Sequence, residues 1–448
     1  MIDNITKKPS IMIVLTFFCA VSIGTLLLSL PYSTYNGISI VDALFTSMSA
    51  VCVTGLSVQD TGTYFTFFGQ CVILFLMQIG GLGILTFAAF FIGILKGSLG
   101  FKERYWLEES LTQQYISNFR NFLHHTFIFV IVVESIGAFL LFWVFYEDFP
   151  LKKSIFLAIF HSISAFCNAG FSLFSNSLES YKGSIALNTI IMLLIILGGI
   201  GFIVINDIKS LAYKSKRDIS FHTKVVLTTS ALLIVAGFFS ILILENSHAL
   251  KDMPVKDKIL VSCFQSVTAR TAGFNTIPFS SLCEASLLLV ILLMFIGGSP
   301  GSMAGGVKTT SFALMVILLW SRMRGREHPE IFHKSISNNA VDRIVILILG
   351  SLCLVVACIF LLLIVESNTI YFKECRGSFL MIVFEAISAF ATVGLSIGIT
   401  PYLTILGKII ISFLMFIGRI GPLTLAVWMM ESKQQLNYEY PEEEIMIG

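Results

Sequence analysis

Apolar residues along the chain fall into runs of two lengths. Long runs, near the 20 or so residues that carry a helix across a bilayer, lie at about 11 to 30, 70 to 95, 126 to 146, 185 to 205, 225 to 244, 285 to 319, 344 to 365 and 403 to 430. Four shorter runs lie between them, at about 40 to 51, 155 to 167, 259 to 269 and 379 to 391. At roughly a dozen residues each these are too short to span, and they predict re-entrant segments that enter and leave by one side. The order long, short, long occurs four times, which divides the chain into units 1–95, 96–207, 208–320 and 321–431 and a tail 432–448.

The short segments align with one another. They read Phe45-Thr-Ser-Met-Ser-Ala-Val-Cys-Val-Thr-Gly55, Phe160-His-Ser-Ile-Ser-Ala-Phe-Cys-Asn-Ala-Gly170, Phe264-Gln-Ser-Val-Thr-Ala-Arg-Thr-Ala-Gly273 and Phe384-Glu-Ala-Ile-Ser-Ala-Phe-Ala-Thr-Val-Gly394. The interval from Phe to Gly is ten, ten, nine and ten residues. A second mark follows each glycine after 24 to 28 residues: Gly80-Gly-Leu-Gly83, Gly198-Gly-Ile-Gly201, Gly297-Gly-Ser-Pro300 and Gly418-Arg-Ile-Gly421. Two marks at matching spacing in four copies define an internal repeat, and its period of over a hundred residues excludes a solenoid.

Inside a bilayer an irregular backbone survives only when it is buried in protein or lines water. Four non-helical glycine strands therefore predict a shared central pore, against the simpler reading that each glycine only turns the chain. Around such an axis Val53-Thr54-Gly55, Asn168-Ala169-Gly170, Thr271-Ala272-Gly273 and Thr392-Val393-Gly394 would present backbone carbonyls that replace an ion's hydration shell. The short helices would aim their negative C-terminal ends at the cavity, which selects for a cation. With one glycine per strand, the ring of ordered carbonyls is expected to be short and its selectivity less strict than that of a Gly-Tyr-Gly filter.

The sixth long run is interrupted by Gly297-Gly298-Ser299-Pro300-Gly301-Ser-Met-Ala-Gly305-Gly306-Val-Lys308, which cannot continue as a regular helix. Lying below the third strand, it is expected to form a gate across the pore, the other reading being a static kink. Arg419 stands inside an apolar run, where a charge costs about 2.5–3.5 kcal/mol unless relieved. It either opposes ion passage or ties down the 297–308 loop, or it makes a purely structural bond to carbonyl oxygens. Arg270 is expected to brace the filter from behind, since a pore-facing cation would repel the ion. Glu134 and Glu385 read as buried structural hydrogen-bonding acids ahead of proton relays, and His124-His125 as a solvated interfacial pair.

Composition changes the picture little. Of 448 residues 56% are apolar and 12% charged, against roughly a quarter charged in a soluble domain, and Lys plus Arg at 29 against Asp plus Glu at 27 lacks the basic excess of a nucleic-acid binder. Seventeen Lys/Arg fall in the segments on the N-terminal side of the membrane and eight on the other, so both termini are expected to be cytoplasmic. Lys7 and Lys8 before the first run suggest a signal peptide, but the run's length and the lack of a small-x-small cleavage pattern favour a first span. Nine cysteines without a C-x-x-C pair predict free, packed thiols. No nucleophile–base pair or metal cluster marks an enzyme, no cofactor is expected, and a proton- or sodium-coupled cation symporter stands as the alternative to a channel-like pore.

Taken with these motifs, Gln265-Ser-Val-Thr-Ala-Arg-Thr-Ala-Gly-Phe-Asn275 and the Gly-Gly-Ser-Pro-Gly-Ser-x-Ala-Gly-Gly-x-Lys-Thr stretch resemble the Trk/Ktr/HKT superfamily of potassium transporters, most closely its KtrB-type membrane subunits, over essentially the whole chain. The resemblance implies an all-α integral membrane fold of four pseudo-symmetric helix, re-entrant loop, helix repeats around a central pore, with eight transmembrane helices. It implies potassium uptake across the bacterial plasma membrane, often sodium-dependent, with Gly55, Gly170, Gly273 and Gly394 as filter glycines, 297–310 as the gate and Arg419 as a barrier below the filter. It further implies a homodimer and a cytosolic, nucleotide-binding KtrA-type ring, since this chain has no Walker or dinucleotide motif. Its terminal Tyr440-Pro441-Glu-Glu-Glu-Ile-Met-Ile-Gly448 looks like a KtrB-type terminus suited to a partner groove or the dimer interface, against the reading of a solvated acidic tail.

Overall fold

The computed structural model describes residues 9–83, 119–212, 218–325, 329–332, 334–367 and 378–421. The expected tail contacts at Tyr440, Pro441 and Gly448 lie outside these residues, as do the ends of the runs at 70–95 and 403–430. The helices are α1 (Pro9–Leu28), α2 (Ile40–Val51), α3 (Phe67–Leu82), α4 (Phe119–Tyr146), α5 (Leu151–Phe166), α6 (Ile185–Ile200), α7 (Phe202–Ala212), α8 (Phe221–Glu245), α9 (Val255–Thr268), α10 (Glu284–Phe295), α11 (Thr309–Met323), α12 (Asn338–Glu366), α13 (Ser378–Phe390) and α14 (Ile405–Ile420). A two-residue hairpin, β1 (Glu330–Ile331) with β2 (Lys334–Ser335), is the strand pairing among the described residues.

Helices α4, α8 and α12 contain stretches long and apolar enough to cross a membrane, and α6 with α7 adds a fourth if the bent pair is one span. Between 17% and 28% of those stretches is buried within the protein, leaving side chains such as Phe139, Ile243 and Phe360 on the outer surface. That surface is what lipid, rather than water, would cover. The run at 185–205 departs from the single helix expected of it: α6 and α7 meet at 95°. Gly201 sits between them at φ +98°, and Phe202 N donates to Gly301 O at 3.0 Å, so a neighbouring loop takes up a donor freed by the break. The glycines Gly83 and Gly421 end α3 and α14 in the same positive-φ region, which a side chain would disfavour.

Each short helix α2, α5, α9 and α13 buries its C-terminal part, with Phe45, Phe160, Phe264 and Phe384 at 0% exposure. Three of them are fastened to the preceding long helix by one repeated bond. Ser47 Oγ donates to Val21 O at 2.8 Å, Ser162 Oγ to Glu134 O at 2.7 Å and Ser266 Oγ to Ile234 O at 2.7 Å. Opposite each hydroxyl stands a glycine, Gly24, Gly137 or Gly237, with no room for a methyl group beside it. In the last copy the serine is Ala386, and Gly350 on α12 has open space around it. Two buried carboxylates then set where the next helix begins. Glu245 Oε1 accepts from Cys283 N at 3.0 Å at the start of α10, and Glu366 Oε1 accepts from Thr404 N at 3.0 Å at the start of α14, each satisfying a donor the first turn cannot.

A methyl group at Gly137 would meet Ser162 Oγ at 2.5 Å and Leu194 at 2.9 Å. Gly137→Ala is therefore expected to cost about 1–3 kcal/mol through overpacking, whereas Gly350→Ala, which meets nothing, should be neutral or stabilising. Thermal inactivation midpoints in detergent check the contrast; equal midpoints for the two variants would contradict it.

Candidate functional site

The four strands that follow α2, α5, α9 and α13 converge on one axis. A methyl group built on Gly55 would collide with Ala169 O, on Gly170 with Gly273 Cα and Ala272 O, on Gly273 with Val393 O, and on Gly394 with Thr54 O. The contacts run from first copy to second, third, fourth and back to first, so they close a ring. At every station the residue before a glycine turns its carbonyl to the neighbouring glycine. Only a residue without a side chain fits four such approaches.

The backbone that achieves this alternates. Val53, Asn168, Thr271 and Thr392 lie at φ +56°, +58°, +69° and +50°, and two residues on Gly55, Gly170, Gly273 and Gly394 lie at +91°, +69°, +81° and +89°. Positive φ is costly at a β-branched residue, and three of the four non-glycine positions are valine or threonine. Such conformations persist where surrounding structure over-determines them, commonly at functional sites.

What holds them is a Ser or Thr four residues after each Phe, a position the sequence reading passed over. Gly55 N donates to Ser49 Oγ at 3.0 Å and Gly394 N to Ser388 Oγ at 3.1 Å, while Ser164 Oγ donates to Phe171 O at 2.7 Å and Thr268 Oγ1 to Phe274 O at 2.6 Å. Their common offset, visible in the aligned segments, was the signal. In three of the four copies the residue after the Phe does related work on the far side of the glycine: His161 Nε2 pairs with Ser172 Oγ at 3.1 Å, Gln265 Nε2 reaches Thr276 Oγ1 at 3.5 Å, and Glu385 bonds Ser396 Oγ at 2.9 Å and also Thr400 Oγ1, whereas Thr46 bonds Asp42 O of its own helix. Thr54, Thr271 and Thr392 carry buried hydroxyls without a hydrogen-bond partner among the described residues. Asn168, its amide oriented to satisfy both ends, donates to Ala165 O and Ile195 O.

Above the ring opens a mouth of about 370 Å³, lined by all four glycines, by hydroxyls and by two carboxylates, Asp60 and Glu179, with no lysine or arginine in its wall. Burial raises the Glu179 carboxyl above its usual range, against the lowering effects of Asn275 and Lys182. Such a wall raises the local concentration of cations.

Below the ring lies the interrupted segment 296–308. Ile296 and Val307 pair in parallel, and Gly297 N donates to Val307 O at 2.8 Å. The loop between them is held from the other copies. Ser299 N and Met303 N donate to Gly199 O and Gly198 O at 3.1 and 3.2 Å, while Gly305 and Gly306 press on Thr392 and Ala391. Arg419 donates to Met303 O in this loop and to Gly80 O and Gly81 O on α3, so it joins the loop to the first copy. Lys308 Nζ donates to Ala304 O at 2.7 Å. Gly298, Pro300 and Gly301 complete the loop, Gly298 beside Ala304 and Pro300 O against Gly201. The second-mark glycines Gly80, Gly198 and Gly418 abut the carbonyls that end α2, α5 and α13, at Val51, Phe166 and Phe390, a close approach of helix to helix end. In the third copy Gly297 abuts Gly305 O of its own loop instead.

Arg270, Glu134 and the His124-His125 pair meet groups outside the ring. Arg270 bonds Ser230 O and Oγ at 3.4 and 3.1 Å on α8, away from the ring. Glu134 accepts from Gln78 Nε2 at 3.1 Å, and His124 and His125 meet edge-on at the surface. The eight cysteines among the described residues are unpaired.

The chain matches the family model described as TrkH, cation transport protein, over residues 4–439. It is 42% identical over 443 residues to the Ktr system potassium uptake protein B of Bacillus subtilis, spanning 98% of this chain and 97% of that one. It is 38% identical to the potassium/sodium uptake protein NtpJ of Enterococcus hirae, over 98% and 97% of the two chains. The crystal structure of the potassium transporter TrkH from Vibrio parahaemolyticus has the same fold, with a TM-score of 0.70 at 19% identity over 94% of this chain and 85% of that one.

Ser388→Ala would leave the N–H of the half-buried Gly394 without its partner, a loss of about 0.5–1.5 kcal/mol. A lowered thermal inactivation midpoint is expected for it and not for Ser29→Ala, whose exposed hydroxyl bonds only Thr25 O of its own helix.

Proposed function

We propose that this chain, which belongs to the TrkH family of cation transport proteins, is the pore-forming membrane subunit of a Ktr-type potassium uptake system. The observation that carries the reading is the closed ring in which each filter glycine faces the preceding carbonyl of its neighbour. A ring of backbone oxygens at the narrowest point of a polar path can replace a cation's hydration shell. The unpartnered Thr54, Thr271 and Thr392 hydroxyls add oxygen donors of the kind a dehydrated K⁺ needs. The relatives' names support potassium as the cargo and, through the potassium/sodium uptake protein, sodium as a second ion.

In this reading the four units 1–95, 96–207, 208–320 and 321–431 are repeats around the pore, eight helices cross a bacterial plasma membrane, and both termini are cytoplasmic, so the mouth with Asp60 and Glu179 faces outward. Val53-Thr54-Gly55, Asn168-Ala169-Gly170, Thr271-Ala272-Gly273 and Thr392-Val393-Gly394 form the filter. The loop Gly297–Lys308 is the gate beneath it, latched by Arg419 to Gly80 and Gly81. A homodimer and a nucleotide-binding cytosolic ring complete the system, with the tail from Tyr440 to Gly448 as a contact for either. Glu134 and Glu385 both engage side-chain donors, which favours a structural role for them and a channel-like path over a coupled symporter.

Uptake of K⁺ and Na⁺ into a bacterial strain stripped of its own potassium systems tests the reading. Gly394→Ala and Gly273→Ala each place a methyl against a ring carbonyl and should lower K⁺ over Na⁺ preference at least tenfold; unchanged preference would remove the filter assignment. Shortening the 297–308 loop, or Arg419→Ala, should raise K⁺ flux several-fold by opening the latch, and parental flux in both would argue that the loop is a static kink.

A further inference from the structure

We propose that Glu179 is a specificity-determining positioning residue, which holds the outer end of the third filter strand through Asn275. The inference rests on the potassium-pore reading above and goes beyond it in naming a residue outside the repeat motif.

The third strand departs from the pattern of the other copies. Its Phe-to-Gly interval is nine residues, and Ala272 N donates to Thr268 O at 3.0 Å. In the other copies the residue before the glycine donates one position further back: Thr54 N to Ser49 O, Ala169 N to Ser164 O and Val393 N to Ser388 O, at 2.7–2.8 Å. Its post-glycine brace, Gln265 to Thr276, is stretched to 3.5 Å.

The compensation comes from the second copy. Leu178 N donates to Asn275 O at 3.0 Å, Asn275 N donates to Ser177 Oγ at 3.2 Å, and Asn275 Nδ2 donates to Glu179 Oε1 at 2.7 Å. Ser177 is held at φ +51°, and Leu178 is fully buried. Asn275 stands two residues beyond Gly273, and both it and Glu179 line the mouth. A hydrogen bond to an ionised acceptor is shorter and stronger than one to a neutral acceptor, so the Glu179 charge stiffens the outer end of the third strand. The charged neighbours are few. Lys182 lies on the same turn, Asp148 binds Tyr181 Oη at 2.7 Å, Asp257 of α9 sits against Gly183, Lys256 Nζ binds Gly183 O at 2.9 Å, and Asp60 lines the same mouth.

The test uses the full chain in the same uptake-deficient strain, with membrane levels matched by immunoblot. Glu179→Gln should raise the KM for K⁺ about 3–10-fold and lower K⁺ over Na⁺ preference while Vmax stays within about twofold, since the loss is a weakened bond rather than a missing strand. Asn275→Ala should do the same, and the double variant should be no worse than Asn275→Ala alone, because residues acting through one contact are not additive. Because burial raises the Glu179 carboxyl, lowering external pH from about 7.5 to about 5 should raise KM in the parent and not in Glu179→Gln. Glu179→Asp, which keeps the charge, should lie between the two. A parental KM and preference in Glu179→Gln, or additive effects in the double variant, would overturn the proposal with the transport reading intact. Absence of K⁺ uptake by the parent chain would overturn both.

Discussion

The structure depends on one steric condition: four backbone strands approach so closely that each glycine has a neighbouring carbonyl where its side chain would be. Carbonyl oxygens crowded around an axis repel one another and forgo water, so the arrangement needs an external frame. The short helices provide it. Each buries its C-terminal part, is anchored by a buried Phe and ends in a turn whose amide or carbonyl is captured by a Ser or Thr from its own last turn. The positive φ values at Val53, Asn168, Thr271 and Thr392 are tolerated because these bonds leave the backbone nowhere else to go.

The same economy explains the charges below the ring. A guanidinium in an apolar run is costly unless its donors are met, and Arg419 meets them with carbonyls at breaks and ends of helices: Met303 in the interrupted segment and Gly80 and Gly81 at the end of α3. Breaks in helices α6 and α10 expose amides and carbonyls that then satisfy one another, Gly198 and Gly199 with Met303 and Ser299, and Gly301 with Phe202. The loop is held both by these bonds and by the buried side chains of Met303 and Val307, so its proposed movement requires those contacts to part together.

Departures from the repeat are as informative as the repeat. The last copy lacks the serine that fastens the short helix to its long neighbour and instead has Lys408 Nζ at 2.6 Å from Asp42 Oδ1, tying α14 to the start of α2. That ion pair joins the fourth copy to the first, where the chain's own connectivity does not. The third copy, shortened by one residue, borrows its outer support from the second. The corresponding glycines of the four segments set the ring, and contacts between the segments make up for local departures.

Much of this was legible in the sequence because it is periodic. The long and short apolar runs gave the order of helices, the aligned Phe-to-Gly segments gave the four strands, and the Gly-Pro cluster at 297–308 gave the break in α10. Those features follow from local rules: the length of a span, the conformational freedom of glycine and the missing amide of proline. Tertiary structure alone decided the 95° bend at Gly201, the partners of Arg419 and the clamp of Glu179 on Asn275. Each of these joins residues of different copies, roughly a hundred or more positions apart in all four bonds concerned. A carbonyl or carboxylate carries no sequence mark of which distant donor will reach it, and only the closed ring brings those groups within bonding distance.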